Sequence, residues 1–170
     1  MASSTIIVMG VSGVGKTTVA EQLAERLGVP FAEADDFHPP ANVDKMAAGT
    51  PLTDADRGPW LDALGVWLRE HDEAGSGGVM TCSALKHRYR DRLRDASPGV
   101  FFLHLTGSFE LIRERMEQRK GHFMKAALLR SQFADLEPLE PGEHGVAIDV
   151  GAPPEELVEA SLKAVRDAEG

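Results

Sequence analysis

Gly10-Val11-Ser12-Gly13-Val14-Gly15-Lys16-Thr17 has the spacing G-x-x-x-x-G-K-[ST] of a phosphate-binding loop. Its flanks supply the required context. Thr5 to Met9 is a short β-branched and apolar run that stops at Gly10, and Val19, Leu23 and Leu27 recur at spacings of four behind the loop. These periods read as strand, glycine turn and helix. In such a turn the glycines let backbone N–H groups close around a phosphate, and the helix start adds partial positive charge. Lys16 then reaches the β and γ oxygens of a nucleoside triphosphate, and the Thr17 hydroxyl binds Mg²⁺. Gly10, Ser12, Gly13, Val14, Gly15, Lys16, Thr17 and Thr18 form the predicted nucleotide-binding set.

Nucleotide switches and phosphotransferases both use this loop, so the rest of the chain must discriminate. A guanine-binding switch carries Asn-Lys-x-Asp late in the sequence, and that tetrapeptide is absent. Asp72-Glu73-Ala74-Gly75 has the D-x-x-G spacing of a switch, but it precedes the third predicted strand and reads as a helix ending at glycine.

Outward from the loop, strands and helices alternate. Pro30 to Glu33 reads as a short second strand, Pro39 and Pro40 interrupt the chain beyond it, and His38 to Thr53 reads as loop with one short helix. Asp54 or Asp56 caps the next helix, with Pro59 in its first turn and Leu61, Leu64, Trp67 and Leu68 along it. Trp60 and Trp67 read as core. Further strands fall at 79–82, 100–105 and 146–150, and helices at 85–94, 110–118 and 126–136. The final helix is amphipathic, with Leu157, Val158, Ser161, Leu162 and Val165 on its inward face. This alternation predicts an α/β fold with helices on both faces of a parallel sheet and ligands at the carboxyl ends of its strands.

A chain of 170 residues is expected to be one domain, 1–170, and one of that length buries roughly 70% of its unfolded surface. Cys82 is the single cysteine and cannot form an internal bridge, which suits the reducing cytoplasm. No two histidines stand at i and i+4, so a zinc site has little support. No apolar run approaches the ~20 residues that span a bilayer, and MASSTIIVMG lacks the basic and apolar parts of a leader. The formal net charge of -9 opposes binding to nucleic acid. Eleven of the eighteen Lys and Arg residues nevertheless fall between Lys86 and Arg130, where they either decorate solvated helices or receive an anionic ligand.

After the second predicted strand comes Phe31-Ala32-Glu33-Ala34-Asp35-Asp36-Phe37-His38-Pro39, a dense acidic group where a second substrate would enter. A phosphotransferase needs a group that orients the attacking hydroxyl, and an aspartate near the γ-phosphate can do this. A solvated acidic loop is the plain alternative. Several further runs narrow the choice: Asn42 and Lys45-Met46; Gly49-Thr50-Pro51-Leu52-Thr53-Asp54; Asp56-Arg57-Gly58-Pro59-Trp60-Leu61; Cys82-Ser83-Ala84-Leu85-Lys86 with Tyr89-Arg90-Asp91; Gly121-His122-Phe123-Met124; and Ser131-Gln132-Phe133 with Leu136-Glu137. With these, nearly the whole chain resembles the gluconokinase family, P-loop small-molecule kinases related to shikimate kinase. Glu33-Ala34-Asp35 departs from the Asp-Gly-Asp of many members.

The resemblance implies a three-layer P-loop NTPase fold with a five-stranded parallel sheet and a mobile lid at about 113–130. It implies ATP and Mg²⁺, D-gluconate as acceptor at its 6-hydroxyl, and a homodimer. Asp35 would orient or deprotonate the acceptor hydroxyl, Glu33 would hold Mg²⁺ through water, and Arg57 would grip the acceptor carboxylate in its planar fork. His38, Ser83, Lys86, Arg90 and His122 would line the acceptor or phosphate side. Arg115 and Arg119 would serve the nucleotide from the lid, Arg119 at the transferring phosphoryl group, and Pro153 would pack on adenine. Pro153 also fits a plain helix start. Two other readings stay open: a kinase for another small anionic acceptor such as shikimate or a related sugar acid, and a non-catalytic nucleotide-binding regulatory module.

Overall fold

The computed structural model describes residues 5–11, 13–50, 52–118 and 126–169. Five strands run parallel in the order β2-β3-β1-β4-β5, where β1 is Thr5–Met9, β2 Phe31–Glu33, β3 Gly78–Thr81, β4 Phe101–Thr106 and β5 Gly145–Asp149. The helices are α1 (Lys16–Leu27), α2 (Pro40–Ala47), α3 (Asp54–Glu73), α4 (His87–Ala96), α5 (Phe109–Gln118), α6 (Ala126–Asp135) and α7 (Pro154–Glu169). The central β1 is buried on both faces, which is why its sequence is continuously apolar instead of alternating.

Successive β1 side chains enter different cores. Ile6 and Val8 pack with Val19 and Leu23 of α1, Ile112 of α5 and Leu157 and Leu162 of α7. Ile7 and Met9 pack with Leu61, Leu64 and Leu68 of α3 and Leu93 of α4. These are the three layers expected from the alternation. The chain leaves β1 for the β2-β3 side and later crosses back to β4, so the strand order reverses beside β1 and opens a crevice at the strands' carboxyl ends. Among the described residues no helix is long and apolar enough to cross a membrane.

Three local readings are corrected. Pro39 and Pro40 do not interrupt the chain: Pro39 is the N-cap and Pro40 the first residue of α2, where a fixed φ and a missing N–H cost nothing. The cap of α3 is Thr53, not Asp54 or Asp56. Its hydroxyl accepts from the Asp56 N–H at 3.1 Å, while Asp56 Oδ2 accepts from the Thr53 N–H at 2.9 Å, a reciprocal capping box. Pro59 consequently falls in the second turn, where an interior proline costs about 3 kcal/mol and is offset by burial of Trp60, Leu61 and Leu64 behind it. The acidic group after β2, for which the sequence left a substrate-orienting segment and a solvated loop both open, forms a 3-10 turn over Ala34–Phe37.

Trp60 is core, with 6% of its surface exposed, and its indole N–H donates to the Ala34 carbonyl at 2.7 Å. Trp67 is only half buried. Its ring covers Gly78 at the start of β3 so closely that a Cβ there would lie 2.5 Å from the indole. The Asp72-Glu73-Ala74-Gly75 stretch closes α3 as expected: the helix ends at Glu73, Ala74 is its C-cap, and Gly75, at φ 72°, turns the chain toward β3.

Candidate active site

The loop between β1 and α1 adopts a conformation that its glycines make possible. Gly10, Gly13 and Gly15 have φ of 147°, 84° and 97°, values that side-chain-bearing residues avoid. Packing imposes a second demand at two of them. A Cβ at Gly10 would stand 2.7 Å from the Leu105 carbonyl, and one at Gly13 would stand 2.6 Å from Met116. At Gly15 a Cβ would meet nothing within 4 Å, so this side of the loop faces open space. Ser12 lies outside the described residues.

Lys16 folds over the loop and donates to the carbonyls of Gly10 and Val11 at 3.0 and 3.1 Å. Burial depresses its amine below the ordinary lysine range, while the nearby Asp35 and Glu33 carboxylates pull the other way. An ammonium held by neutral carbonyls is poised for a stronger, anionic partner. The Thr17 hydroxyl donates to Glu33 Oε1 at 2.8 Å, so a hydroxyl at the start of α1 and a carboxylate at the end of β2 converge. That hard-oxygen pair suits Mg²⁺, which takes one or two protein ligands and keeps its waters.

One cavity opens beside the loop and another beyond β3. The first, of about 360 Å³, is walled by Gly13, Gly15 and Thr18, by Arg115 and Gln118 of α5, and by Ala152, Pro154 and Leu157 at the start of α7. Arg115 also donates to the Val150 carbonyl at 2.7 Å, tying α5 to the end of β5. The proline at this wall is Pro154, the first residue of α7, whereas Pro153 precedes it in the turn and is not among the lining residues. Adjacent prolines one residue apart differ in facing, and sequence spacing does not register that difference.

The other cavity, about 200 Å³, opens beyond β3 between the 3-10 turn, α3, α4 and the end of α6. Asp35, His38, Arg57, Ser83 and Lys86, all expected at the acceptor, line it together with Cys82, Tyr89, Gln132 and Asp135. Asp35 is largely exposed, with 89% of its side chain accessible. Arg57 donates to the Leu52 carbonyl at 3.0 Å and to the Tyr89 hydroxyl at 3.3 Å, and Tyr89 donates in turn to Asp54 Oδ1 at 2.7 Å. The hydrogen bond from Tyr89 holds the Asp54 carboxyl below its usual value, with the Arg88, Lys86 and Arg57 cations adding to it. Arg57, Lys86 and Arg88 surround the Tyr89 ring at 5.6, 5.9 and 5.5 Å. Burial pushes the Cys82 thiol up to about 12, so it stays protonated and is no nucleophile.

Arg90 is not at the acceptor. Its side chain is fully buried and makes two hydrogen bonds, 2.7 and 3.1 Å, to the Glu143 carboxylate. It also donates to the Ala84 carbonyl at 2.8 Å, at a residue held at φ 44°, so it shapes the 83–86 turn from behind. The structure moves it from ligand to scaffold, because the face of α4 that carries Tyr89 and Leu93 into the core carries Arg90 too. The segment 119–125, with Arg119 and His122, lies outside the described residues.

Sequence reasoning missed the walls supplied by Asp135, Gln118 and Ala152 and the linking roles of Tyr89 and Asp54. Tyr89 had one available signal, its position one helical turn beyond Lys86.

A phosphate loop closing β1, an open cavity beside it and a polar cavity beyond β3 are the features of a P-loop kinase. A family profile described as an AAA domain matches residues 6–127. The chain is 54% identical over 145 residues to a gluconokinase of Gluconobacter oxydans strain 621H, covering 85% of this chain and 80% of that one. It is 46% identical over 151 residues to the thermosensitive gluconokinase of Escherichia coli K12, covering 88% and 81%. A crystal structure of a gluconokinase from Sinorhizobium meliloti 1021 superposes with TM-score 0.90 at 46% identity, over 99% of this chain and 95% of that one. The chain belongs to the gluconokinase family.

Proposed function

We propose that this chain, as a single cytoplasmic kinase domain, transfers the γ-phosphoryl group of ATP to the 6-hydroxyl of D-gluconate, giving 6-phosphogluconate and ADP. The observation that carries this reading is the polarity of the acceptor cavity, with Asp35 in one wall and the Arg57 and Lys86 cations in another. A polyhydroxy carboxylate is complementary to that arrangement, its acid group at the cations and a hydroxyl at the aspartate.

In this reading Lys16 neutralises charge on the phosphates, and Asp35 orients the attacking hydroxyl. Thr17 and Glu33 would hold Mg²⁺, which would offset phosphate charge when bound. Ser83 and Lys86 face the acceptor from the turn after β3, while Arg115 contributes to the nucleotide cavity. A lid over about 113–130, with Arg119 at the phosphoryl group and His122 at the acceptor, follows from the family resemblance. Catalysis is then chiefly positioning and electrostatic stabilisation.

ADP release from Mg-ATP, measured side by side with gluconate, shikimate, other sugar acids, AMP and no acceptor, is expected to rise with gluconate. No stimulation by any acceptor would retire the kinase reading in favour of a regulatory module. Arg57→Ala is expected to raise the gluconate KM roughly 10- to 100-fold, the worth of a charged hydrogen-bonded clamp, with the ATP KM little changed. An unchanged gluconate KM would show that Arg57 does not hold the carboxylate.

A further inference from the structure

Asn42 is buried on α2, and its side-chain nitrogen lies 2.9 Å from the Asp56 carbonyl and 3.2 Å from Nδ1 of His38. A backbone carbonyl can only accept, so the atom facing it is the NH₂ group and the amide orientation is fixed. The second hydrogen of that group is left for His38 Nδ1, which must therefore carry a lone pair. The ring proton of neutral His38 then sits on Nε2.

The imidazole is also locked in place. It stacks on Trp60 with centroids 4.4 Å apart and planes 10° from parallel, and 5% of the side chain is exposed. Nε2 stands 4.0 Å from Asp35 Oδ1, and both residues line the acceptor cavity. That gap is too long for a direct hydrogen bond, but a hydroxyl oxygen set to one side of it, at the apex of a triangle, reaches both atoms at about 2.8 Å. Such a hydroxyl would accept from Nε2–H and donate to the carboxylate.

We propose that Asn42 fixes His38 as its Nε2–H tautomer, and that His38 and Asp35 together clamp the reacting hydroxyl of the acceptor. Asn42 is the positioning residue and His38 the group that touches substrate. This deepens the acceptor-site reading given above and rests on it. The clamp selects a group that donates and accepts at once, which a hydroxyl does and an ammonium or a carboxylate does not.

The surroundings favour the neutral ring. Burial lowers the His38 pKa below its ordinary value, the Arg57 guanidinium from α3 adds to that, and Asp35 from the 3-10 turn opposes it. Asp56, also on α3, turns its carboxylate to Lys45 of α2 and offers His38's partner only its carbonyl. Protonation of Nδ1 would confront the Asn42 N–H with another donor, so the active tautomer is lost only as pH falls below the usual histidine range.

Nitrogen-15 NMR of the ligand-free protein at neutral pH is expected to show His38 with a bare Nδ1 and a protonated Nε2. A protonated Nδ1 overturns the proposal, whatever the acceptor. His38→Gln, whose amide nitrogen reaches the Nε2 position, is expected to keep gluconate kcat/KM within about fivefold, whereas His38→Asn, whose amide reaches only Nδ1, loses roughly 30-fold, both at unchanged ATP KM. Equal losses in the two variants overturn the clamp. Asn42→Asp supplies an acceptor to Nδ1–H and stabilises the imidazolium, so the acid limb of the kcat/KM profile moves up by about one pH unit. A profile that stays in place contradicts the role of Asn42. If the tautomer is as stated but gluconate does not stimulate ADP release, the substrate reading fails and the lock remains.

Discussion

Lys16→Met is expected to lower kcat for gluconate phosphorylation about 10³-fold or more while the protein stays folded and still admits nucleotide. The ammonium sits at the mouth of the loop, on the carbonyls of Gly10 and Val11, and no second lysine lies within the loop. Loss of one preorganised neutral donor at a developing charge costs about 10²–10³ in rate, and a full charge in a buried site is worth more. Removing the side chain deprives two part-buried carbonyls of a partner, a cost of about 1–3 kcal/mol each at most, which open space beside the loop lets water reduce. Single-turnover kinetics with a thermal melt separates the two effects. A rate within tenfold of wild type, with the fold intact, would mean that charge neutralisation comes from elsewhere.

Arg90→Met is expected to cost stability before it costs chemistry. The substitution leaves Glu143, whose side chain is 4% exposed, with Arg94 at 2.8 Å as its remaining arginine partner and the His87 ring at 3.9 Å. Breaking a buried ion pair from one side typically costs about 3–5 kcal/mol, and the surviving Arg94 contact places this case near the lower end. For a chain of this size that lowers Tm on the order of 10 °C. Arg90→Met combined with Glu143→Leu should recover much of the loss, because no buried charge is then stranded.

The same pair predicts the acid side of the stability curve. Burial by itself raises the Glu143 pKa, but hydrogen bonds from Arg90, the Glu140 N–H and Arg94 outweigh it and bring the carboxyl from 4.5 down to about 2. A depressed carboxyl stabilises the fold above its unfolded pKa, and that contribution is lost as pH falls from 4.5 toward 2. Denaturant melts through this window should show a steeper acid loss for wild type than for the double variant. Parallel curves would mean that Glu143 is not the group responsible.

Much of this protein was legible without coordinates. The P-loop spacing, the strand before it and the helix after it are local in the chain, and local periodicity sets which residues a strand or helix buries. The runs around Glu33-Ala34-Asp35, Arg57 and Ser83 to Lys86 are also local, each just beyond a strand or at a helix start, and it was their resemblance to a known family that put these residues forward for the acceptor. Asp35, His38, Arg57, Ser83 and Lys86 do meet at one cavity.

The alternation of strands and helices, the phosphate loop and the elements that border the crevice are all written in spacings of a few residues. The direction in which individual side chains turn is not, and it emerged only from the packed chain. Arg90 is four residues from Lys86, and a basic residue there is equally compatible with a substrate or a scaffold. Its assignment rests on Glu143, 53 residues away, which β5's approach to β4 brings against α4. Asn42 likewise meets Asp56 and His38 across a turn, and Pro154 takes the wall where Pro153 was expected. Backbone periodicity is a short-range property of the chain, whereas a buried polar partner is chosen by packing between distant segments, where each donor must find an acceptor or bear the cost of desolvation.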